Sequence, residues 1–370
     1  MKVLHLIASF GPGGAERQLS LIAPALARSG VEIHIAYCSG GPNLERLEGS
    51  GIHLHALTSS GNHDPVLAWK ICQLVRRLRP DVVQTWLLQM DILGGVAAML
   101  NRVPLILSER SSAAAYKPDW KTRLRLLVGR RAAGIVANSR GGLDYWRPNL
   151  SFERLHLVRN CVSPAEHPAG EPIEALAMHI VGRPVVLFAG RFSYEKNIPG
   201  LIEALILVAS QHADVSIMMF GEGPERESAA NSIANAGLAQ RIVVAGYSLQ
   251  LAAWLAHAAV CVSVSHFEGH PNVVMEAAAA GCPLVLSDIP AHRELFDESS
   301  VLLVPTNSPS RIAEAVLETL NNPGAAQERA ASARAIAAQC DLSTAVATYL
   351  TIYERAVSAA LLSRSPSLLF

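Results

Sequence analysis

Two glutamates, Glu268 and Glu276, mark the stretch of the chain with the strongest signs of a ligand site. From Val262 to Asp288 the sequence predicts a strand, a tight loop, a helix and a second strand. The helix is apolar on every face except at Glu276, and such a helix is usually buried. A buried carboxylate needs a partner. Because ligands bind at the carboxyl ends of parallel strands and anions favour helix N-termini, the stretch predicts half of a ligand pocket.

Two cations follow another predicted strand, from Pro184 to Ala189. Arg191 can act as a fork and Lys196 as a point charge, which together suit a diphosphate. A solvated basic loop, with salt bridges to Glu195 or its neighbours, is the alternative. The two carboxylates are acceptors that suit sugar hydroxyls. A ligand with a diphosphate flanked by polyols is a nucleotide sugar.

The elements that position these side chains form two series of alternating strands and helices. This alternation predicts an α/β protein with two doubly wound parallel sheets, and a cleft between such domains is a common ligand site. A proline-rich segment without a clear period separates the two series. We predict an N-terminal domain over 1–165, a linker over 166–183, a C-terminal domain over 184–345 and a last helical segment over 346–370.

A glycine turn links the first strand to the first helix and contains Gly13 and Gly14. Strand, glycine turn and helix form the phosphate-approach unit of doubly wound folds. The glycine spacing does not match GxGxxG, and the second strand ends without an acidic residue. Both observations argue against a site for NAD.

Composition excludes several other classes of protein. The formal net charge is +0, so no long-range field attracts nucleic acid. The 6 cysteines form no CxxC pair and indicate a reducing compartment rather than a zinc site. The chain lacks a predicted membrane span, and we expect a cytoplasmic protein. His5, His34 and His53 lie in or beside predicted strands and are interpreted as core or edge residues, not ligands.

The segment from Glu268 to Glu276 resembles the E-x7-E signature of retaining glycosyltransferases with the GT-B fold, family 4 in the sequence classification. Two glutamates at this spacing are common by chance, so the specificity comes from the ordered set of motifs along nearly the whole chain. The other members of the set are Gly13-Gly14-Ala15-Glu16, Val158-Arg159-Asn160, Gly190-Arg191 with Lys196, and Gly221-Glu222-Gly223-Pro224.

The resemblance implies transfer of a sugar, with retention, from a nucleotide sugar such as a UDP-sugar to a glycan or lipid-linked acceptor. Glu276 would accept the ribose hydroxyls. Arg191 and Lys196 would hold the diphosphate and stabilise the leaving group in place of a metal, so neither a metal nor another cofactor is expected. Gly13 and Gly14 would approach the phosphate or the sugar. The sugar itself would be bound by Glu268, Gly269, His270, Pro271 and Asn272.

The acceptor side departs from the family pattern. Arg110 occupies a position where many members have a histidine that contacts the sugar. Glu16 and Glu294 are further candidates on the acceptor or sugar side. In the resembling family the last helix crosses back to the first domain, and we expect the same here.

A basic amphipathic helix is predicted from Trp120 to Arg131. Its cations are either solvated on a surface helix or in contact with an anionic membrane that carries a lipid-linked acceptor. The second possibility would place the protein at the inner face of the membrane. These cations are Lys121, Arg123, Arg125, Arg130 and Arg131.

Two other functions are compatible with the predicted architecture. A UDP-sugar epimerase uses two such domains and would change the sugar without any acceptor. A catalytically silent subunit would bind the nucleotide sugar and regulate a partner enzyme.

Overall fold

The computed structural model describes residues 1–58, 65–162, 182–248 and 250–364. Its contacts divide the chain into a first unit, Met1–Cys161 with Asp341–Phe370, and a second unit, Val162–Cys340. Of the predicted linker, residues 166–181 lie outside the described part of the chain. The last segment of the first unit begins a few residues before the predicted start at 346.

The first unit contains a seven-stranded parallel sheet in the order β3-β2-β1-β4-β5-β6-β7. Short runs of apolar residues form its inner strands, and β4, β5 and β6 are buried along their whole length. This is the pattern expected for parallel strands covered on both faces. The strands are β1 Lys2–Ser9, β2 Glu32–Ser39, β3 His53–Ala56, β4 Val82–Trp86, β5 Leu105–Glu109, β6 Gly134–Ala137 and β7 Leu155–Leu157.

The second unit contains a six-stranded parallel sheet in the order β10-β9-β8-β11-β12-β13. The two parallel sheets confirm the predicted α/β fold class. The strands are β8 Val185–Ala189, β9 Ser216–Phe220, β10 Ile242–Gly246, β11 Val260–Ser263, β12 Leu284–Ser287 and β13 Leu302–Val304.

Helices cover both faces of each sheet. In the first unit they are α1 Gly14–Arg28, α2 Pro65–Leu78, α3 Leu87–Leu100, α4 Trp120–Gly129 and α5 Arg140–Trp146. In the second unit they are α6 Ile198–Gln211, α7 Arg226–Asn235, α8 Leu251–His257, α9 Asn272–Ala280, α10 Pro290–Arg293, α11 Pro309–Asn321 and α12 Pro323–Ala337. The last helix, α13 Leu342–Arg364, belongs to the first unit. In the part of the chain that is described, no helix is both long and apolar enough to cross a membrane.

The last helix, α13, completes the core of the first unit. Tyr349 and Tyr353 are fully buried in the cluster that also contains α1 and one face of the sheet. The hydroxyl of Tyr353 donates a hydrogen bond to Gln84 of β4. The packing agrees with the return of the chain that the family resemblance implies.

Candidate active site

The second sheet has a topological switch point between β8 and β11. These strands are neighbours, although β9 and β10 come between them in the chain. Ligands bind at the carboxyl ends of strands at such a point. The ammonium group of Lys196, in the loop after β8, forms an ion pair with the carboxylate of Glu268, in the loop after β11. The structure therefore brings together two of the predicted site residues.

Two glycines fix the first of these loops. A Cβ atom at Gly221 would lie 1.9 Å from the carbonyl oxygen of Gly190, and one at Gly223 would lie 2.4 Å from that of Phe192. The amide of Phe192 also donates to the carbonyl of Glu222 at 2.9 Å. The Gly221–Pro224 motif thus acts as a support that holds the loop of Arg191 close against the end of β9.

Asn197 ends the same loop and precedes α6. Its backbone has a φ of 54°, in the left-handed region that asparagine tolerates better than most residues. The side-chain amide donates to the carbonyl of Thr306 at 2.8 Å. Because Lys196 is the preceding residue, this anchor restricts the direction from which its side chain reaches Glu268.

Glu268 is held by a second group besides Lys196. The hydroxyl of Ser265 donates to Oε1 of Glu268 at 2.7 Å, and Lys196 contacts the same oxygen. Burial opposes ionisation of Glu268. The charge of Lys196 and the hydrogen bonds from Lys196 and Ser265 outweigh burial, so the pKa of Glu268 lies below its ordinary value. The carboxylate is therefore ionised at neutral pH, and Oε2 is not used in these two contacts.

A buried chain of polar groups supports this carboxylate from behind. Ser287 donates from its hydroxyl to the carbonyl of Ser265 at 2.8 Å, and Nδ1 of His292 lies 2.8 Å from the carbonyl of Ser287. Burial lowers the pKa of His292, so its ring is neutral. Neither Ser265 nor His292 was predicted from the sequence. In this part of the chain the sequence identified only Glu294 as a candidate site residue. Glu294 lies just after α10 and is half-buried.

Helix α9 carries the second glutamate of the pair. The predicted helix is confirmed, with Pro271 as its N-cap and Gly281 at its end with a φ of 76°. Glu276 and His270 are both buried, at 6% exposure. Burial and the charge of Glu276 together raise the pKa of Cys261 to about 12. Glu276 is therefore within electrostatic range of Cys261 in β11.

Arg191 is exposed at the opening of the β8 loop. It forms no ion pair with any residue that the structure describes. Glu195, the partner considered in the alternative interpretation of this loop, instead accepts a hydrogen bond from Ser193 at 2.6 Å. Arg191 is thus an exposed cation in the same loop as Lys196 and is accessible to an anionic ligand.

In the first unit, Gly13 is the N-cap of α1 and Gly14 its first residue. The carboxylate of Glu16 folds back over the turn, so a Cβ atom at Gly13 would lie 2.2 Å from Oε2 of Glu16. The other oxygen of Glu16 accepts a hydrogen bond from Ser9 at 3.2 Å. A side chain at position 13 would therefore displace the carboxylate of Glu16 from the turn.

Arg110 lies at the end of β5 and is held by three neighbours. Its guanidinium group stacks 4.3 Å above the ring of Trp86. It donates to the hydroxyl of Tyr349 at 2.6 Å and to the side chain of Asn160 at 3.2 Å. Arg110 therefore links the sheet to α13, and its place on the acceptor side stays a prediction.

The interpretation of α4 as a helix with only surface cations is wrong at Arg125. This side chain is buried at 1% exposure between Asp91 and Glu109, at 2.7 and 2.8 Å. Trp146 donates to the same Glu109 at 2.9 Å. The charges of Glu109 and Asp91 outweigh burial and hold the pKa of Arg125 above its usual value. Among the ion pairs that the structure describes, only Arg125 neutralises the two buried carboxylates.

Two family models match the chain. The model described as Glycosyltransferase Family 4 matches residues 12–166, and the model described as Glycosyl transferases group 1 matches residues 183–322. Together they span most of both units. The chain belongs to glycosyltransferase family 4.

Two relatives of this family 4 glycosyltransferase have transferase names. It is 25% identical over 324 residues, 82% of this chain and 85% of the relative, to N-acetylgalactosamine-N,N'-diacetylbacillosaminyl-diphospho-undecaprenol 4-alpha-N-acetylgalactosaminyltransferase of Campylobacter jejuni. It is 25% identical over 372 residues, 97% of this chain and 99% of the relative, to the lipopolysaccharide core biosynthesis glycosyltransferase LpsD of Rhizobium meliloti. The protein is therefore an enzyme of the glycosyltransferase class.

Solved structures show the same fold. Anabaena HepE in complex with UDP and glucose matches this glycosyltransferase with a TM-score of 0.83 and 21% identity, over 96% of this chain and 99% of that one. Sucrose-phosphate synthase from Thermosynechococcus elongatus matches with a TM-score of 0.78 and 19% identity, over 97% and 100% of the two chains. The predicted GT-B fold is confirmed.

Proposed function

We propose that this enzyme transfers a sugar, with retention of anomeric configuration, from a UDP-sugar to a glycan or lipid-linked acceptor in glycoconjugate biosynthesis. The observation that carries the proposal is the Lys196–Glu268 ion pair at the switch point of the second sheet. It puts a cation next to a carboxylate that can accept hydrogen bonds from hydroxyl groups. A diphosphate next to a sugar requires both groups.

The diphosphate binds at Arg191 and Lys196. Arg191 is exposed, and Lys196 retains 20% side-chain exposure within its ion pair. A phosphate oxygen that approaches Lys196 adds a second acceptor to its ammonium group, which has three donors. These two positive charges neutralise the charge that develops on the leaving diphosphate. In this proposal, no metal is required for that role.

Hydroxyl groups of the donor are bound by the carboxylates. Glu268 is ionised, and its Oε2 is not used by Ser265 or Lys196. It accepts hydrogen bonds from the sugar, together with the segment from Gly269 to Asn272. Glu276, near β11, accepts from the ribose. The family resemblance supports this division, and so does the ion pair between Glu268 and the proposed diphosphate cation Lys196.

The reaction exchanges one bond to the anomeric carbon for another. The bond from this carbon to the phosphate oxygen breaks, and its electron pair remains on the diphosphate. The acceptor oxygen forms its bond from the same face, and its proton passes to the leaving phosphate oxygen. The products are UDP and a glycoside of unchanged anomeric configuration. Arg191, Lys196 and Glu268 stabilise the charges without forming a covalent intermediate.

The acceptor binds to the first unit. The name of the Campylobacter relative includes a diphospho-undecaprenol acceptor, and that of LpsD includes lipopolysaccharide core biosynthesis. Helix α4 exposes Trp120 and Leu127, at 64% and 48%, beside the exposed Arg123. An aromatic residue, an aliphatic residue and a cation on one short helix suit a peripheral contact with an anionic membrane surface. This contact would bring a lipid-linked acceptor to the enzyme.

The test measures UDP release and product configuration for a panel of UDP-sugars with lipid-linked and glycan acceptors, in the presence of a chelator. We expect acceptor-dependent UDP release that the chelator does not change, and a product with the anomeric configuration of the donor. A changed sugar from the donor alone would establish an epimerase. Binding of UDP-sugar without turnover on any acceptor would establish a silent subunit.

A further inference from the structure

Four polar side chains share one face at the edge of the first sheet, in β2 and β3. Glu32 and His34 are two residues apart on β2, and His53 and His55 are two residues apart on β3. Residues two apart on a strand point to the same face. His34 is paired with His53 in the parallel register. Because β3 is the edge strand, His53 is exposed to solvent.

Three of these side chains present ligand atoms to one point. One atom each from Glu32, His34 and His53 lies within 4.8 Å of the other two. The Nε2 atom of His34 is 2.9 Å from Oε1 of Glu32. A divalent cation with bonds of about 2.1 Å to nitrogen and oxygen places tetrahedral ligands about 3.4 Å apart. Small changes of side-chain torsion therefore bring the three atoms to bonding distance around one ion.

His55 provides the outer contact that metal-binding histidines usually have. Its Nε2 atom lies 2.9 Å from Nδ1 of His34. When the Nε2 atom of His34 binds a cation, its Nδ1–H can donate to His55, and this fixes the tautomer and the plane of the ring. The rings of His34 and His53 are stacked, with their centroids 4.6 Å apart, which limits the rotation of both.

Lys2 would compete with a metal ion for the carboxylate of Glu32. The ammonium group of Lys2 is 3.1 Å from Oε1 of Glu32. It also lies 3.4 Å from the carbonyl oxygen of Leu78. Lys2 can thus release Glu32 and keep a hydrogen-bond partner, while a metal ion takes its place.

We propose that Glu32, His34 and His53 form a binding site for a divalent transition-metal cation of the zinc type, contrary to the sequence interpretation of the two histidines as core or edge residues only. Imidazole nitrogens with one carboxylate oxygen suit Zn²⁺ better than Mg²⁺ or Ca²⁺, which prefer oxygen ligands. Solvent at the exposed edge supplies the fourth ligand. The ion fastens β3 to β2 across the loop of residues 40–52, and the donor site in the second unit is not involved.

The test uses the full-length chain, free of any histidine tag and treated with a chelator. Zn²⁺ is titrated against a competing chromophoric chelator, and thermal unfolding is recorded with and without Zn²⁺. We expect one tight site, a higher Tm with Zn²⁺, and an affinity lowered at least about 10-fold in His53→Asn, which removes a ligand. His257→Asn, which changes an exposed histidine on α8, should bind like the parent chain.

A second variant separates coordination from non-specific binding. Glu32→Gln removes the carboxylate, leaves the histidines in place, and should also weaken binding. With Co²⁺ in place of Zn²⁺, the parent should show visible absorption bands that both variants lose. The proposal is overturned if the parent binds no Zn²⁺ tightly, or if His53→Asn and His257→Asn have the same affinity.

Discussion

The ammonium group of Lys196 is paired with the carboxylate of Glu268, a residue 72 positions later in the chain. The two residues follow neighbouring strands, β8 and β11, on either side of the switch point. The charge of Lys196 therefore favours the ionised form of Glu268. The pair keeps Glu268 ionised although its side chain is only 12% exposed, and it holds Lys196 at the ends of the strands.

Removal of either partner should reduce catalysis strongly. We expect Glu268→Gln and Lys196→Met each to lower kcat by about 10²–10³, the usual effect of removing one group that stabilises developing charge. Steady-state UDP release measures this. Glu195→Gln changes a neighbouring glutamate whose carboxylate accepts a hydrogen bond from Ser193, and it should stay within about twofold of the parent. Equal activity in all three variants would reject the site assignment.

The ion pair also makes stability depend on pH. The folded-state pKa of Glu268 lies below its ordinary value, so its stabilising contribution is present above about pH 4.3 and is lost as pH falls through the folded pKa. In Lys196→Met the charge that lowers the pKa of Glu268 is absent, so burial raises this pKa instead. The loss of unfolding free energy in this variant should be largest near pH 7 and shrink below about pH 4.

Urea unfolding between pH 3 and pH 7 tests this expectation. Lys117→Met serves as the control, because Lys117 has no described ion pair. Its difference from the parent should be small at every pH. A pH-independent loss in Lys196→Met would show that packing, and not charge, accounts for its effect.

The buried Arg125 network should dominate the stability of α4. Arg125→Met leaves Asp91 and Glu109 buried without their cation, which costs about 3–5 kcal/mol of unfolding free energy. Arg123→Met removes an exposed arginine of the same helix and should change it by less than about 0.5 kcal/mol. Chemical denaturation compares the two variants. Similar losses would contradict the burial of Arg125.

Gly221 should tolerate no side chain, because a Cβ atom would clash with the backbone. A comparison with Gly237 separates this clash from the effect of positive φ. Gly221→Ala forces a Cβ atom against the carbonyl of Gly190, 1.9 Å away, and should displace the loop of Arg191. Gly237 also has a positive φ, but a Cβ atom there meets nothing within 4 Å. We expect Gly237→Ala to lose only about 1–2 kcal/mol of stability, the cost of a Cβ atom at positive φ, and to keep its activity. Gly221→Ala should lose at least tenfold in kcat/KM.

Membrane contact through α4 can be tested with two exposed tryptophans. Trp120 and Trp69 are 64% and 61% exposed, but only Trp120 lies beside exposed arginine on α4. Trp120→Ala should reduce binding to vesicles rich in anionic lipid by at least threefold, and Trp69→Ala should leave it unchanged. Sedimentation with the vesicles measures both. Equal binding by the two variants would assign the contact to another surface.

The sequence predicted the parts of the fold and site that depend on local patterns. Alternating strands and helices were sufficient for the two parallel sheets. Arg191, Lys196 and Glu268 were found because each lies just after a predicted strand. The supporting residues were missed: Ser265 and His292 act through contacts between β11 and β12, and single-sequence periodicity does not show which polar side chains face each other.

Arg125 illustrates a different limit. The spacing of cations along α4 identifies an amphipathic helix, but it does not show which cation turns inward. That choice depends on Asp91 and Glu109, which come from α3 and β5 and require a positive partner. Arg110 was likewise assigned by its place after β5, whereas its contacts with Tyr349 and Asn160 come from distant parts of the chain.

The amide of Val162 donates to the carbonyl of Cys340 at 3.1 Å, so the first and last residues of the second unit lie side by side. The second unit is therefore an insertion into the first. Because the N-terminal part of a chain leaves the ribosome first, residues 162–340 emerge before α13 does. The first unit starts earlier but is completed only when Tyr349 and Tyr353 reach its sheet. Synthesis thus finishes the unit that holds Lys196 and Glu268 before it completes the first unit.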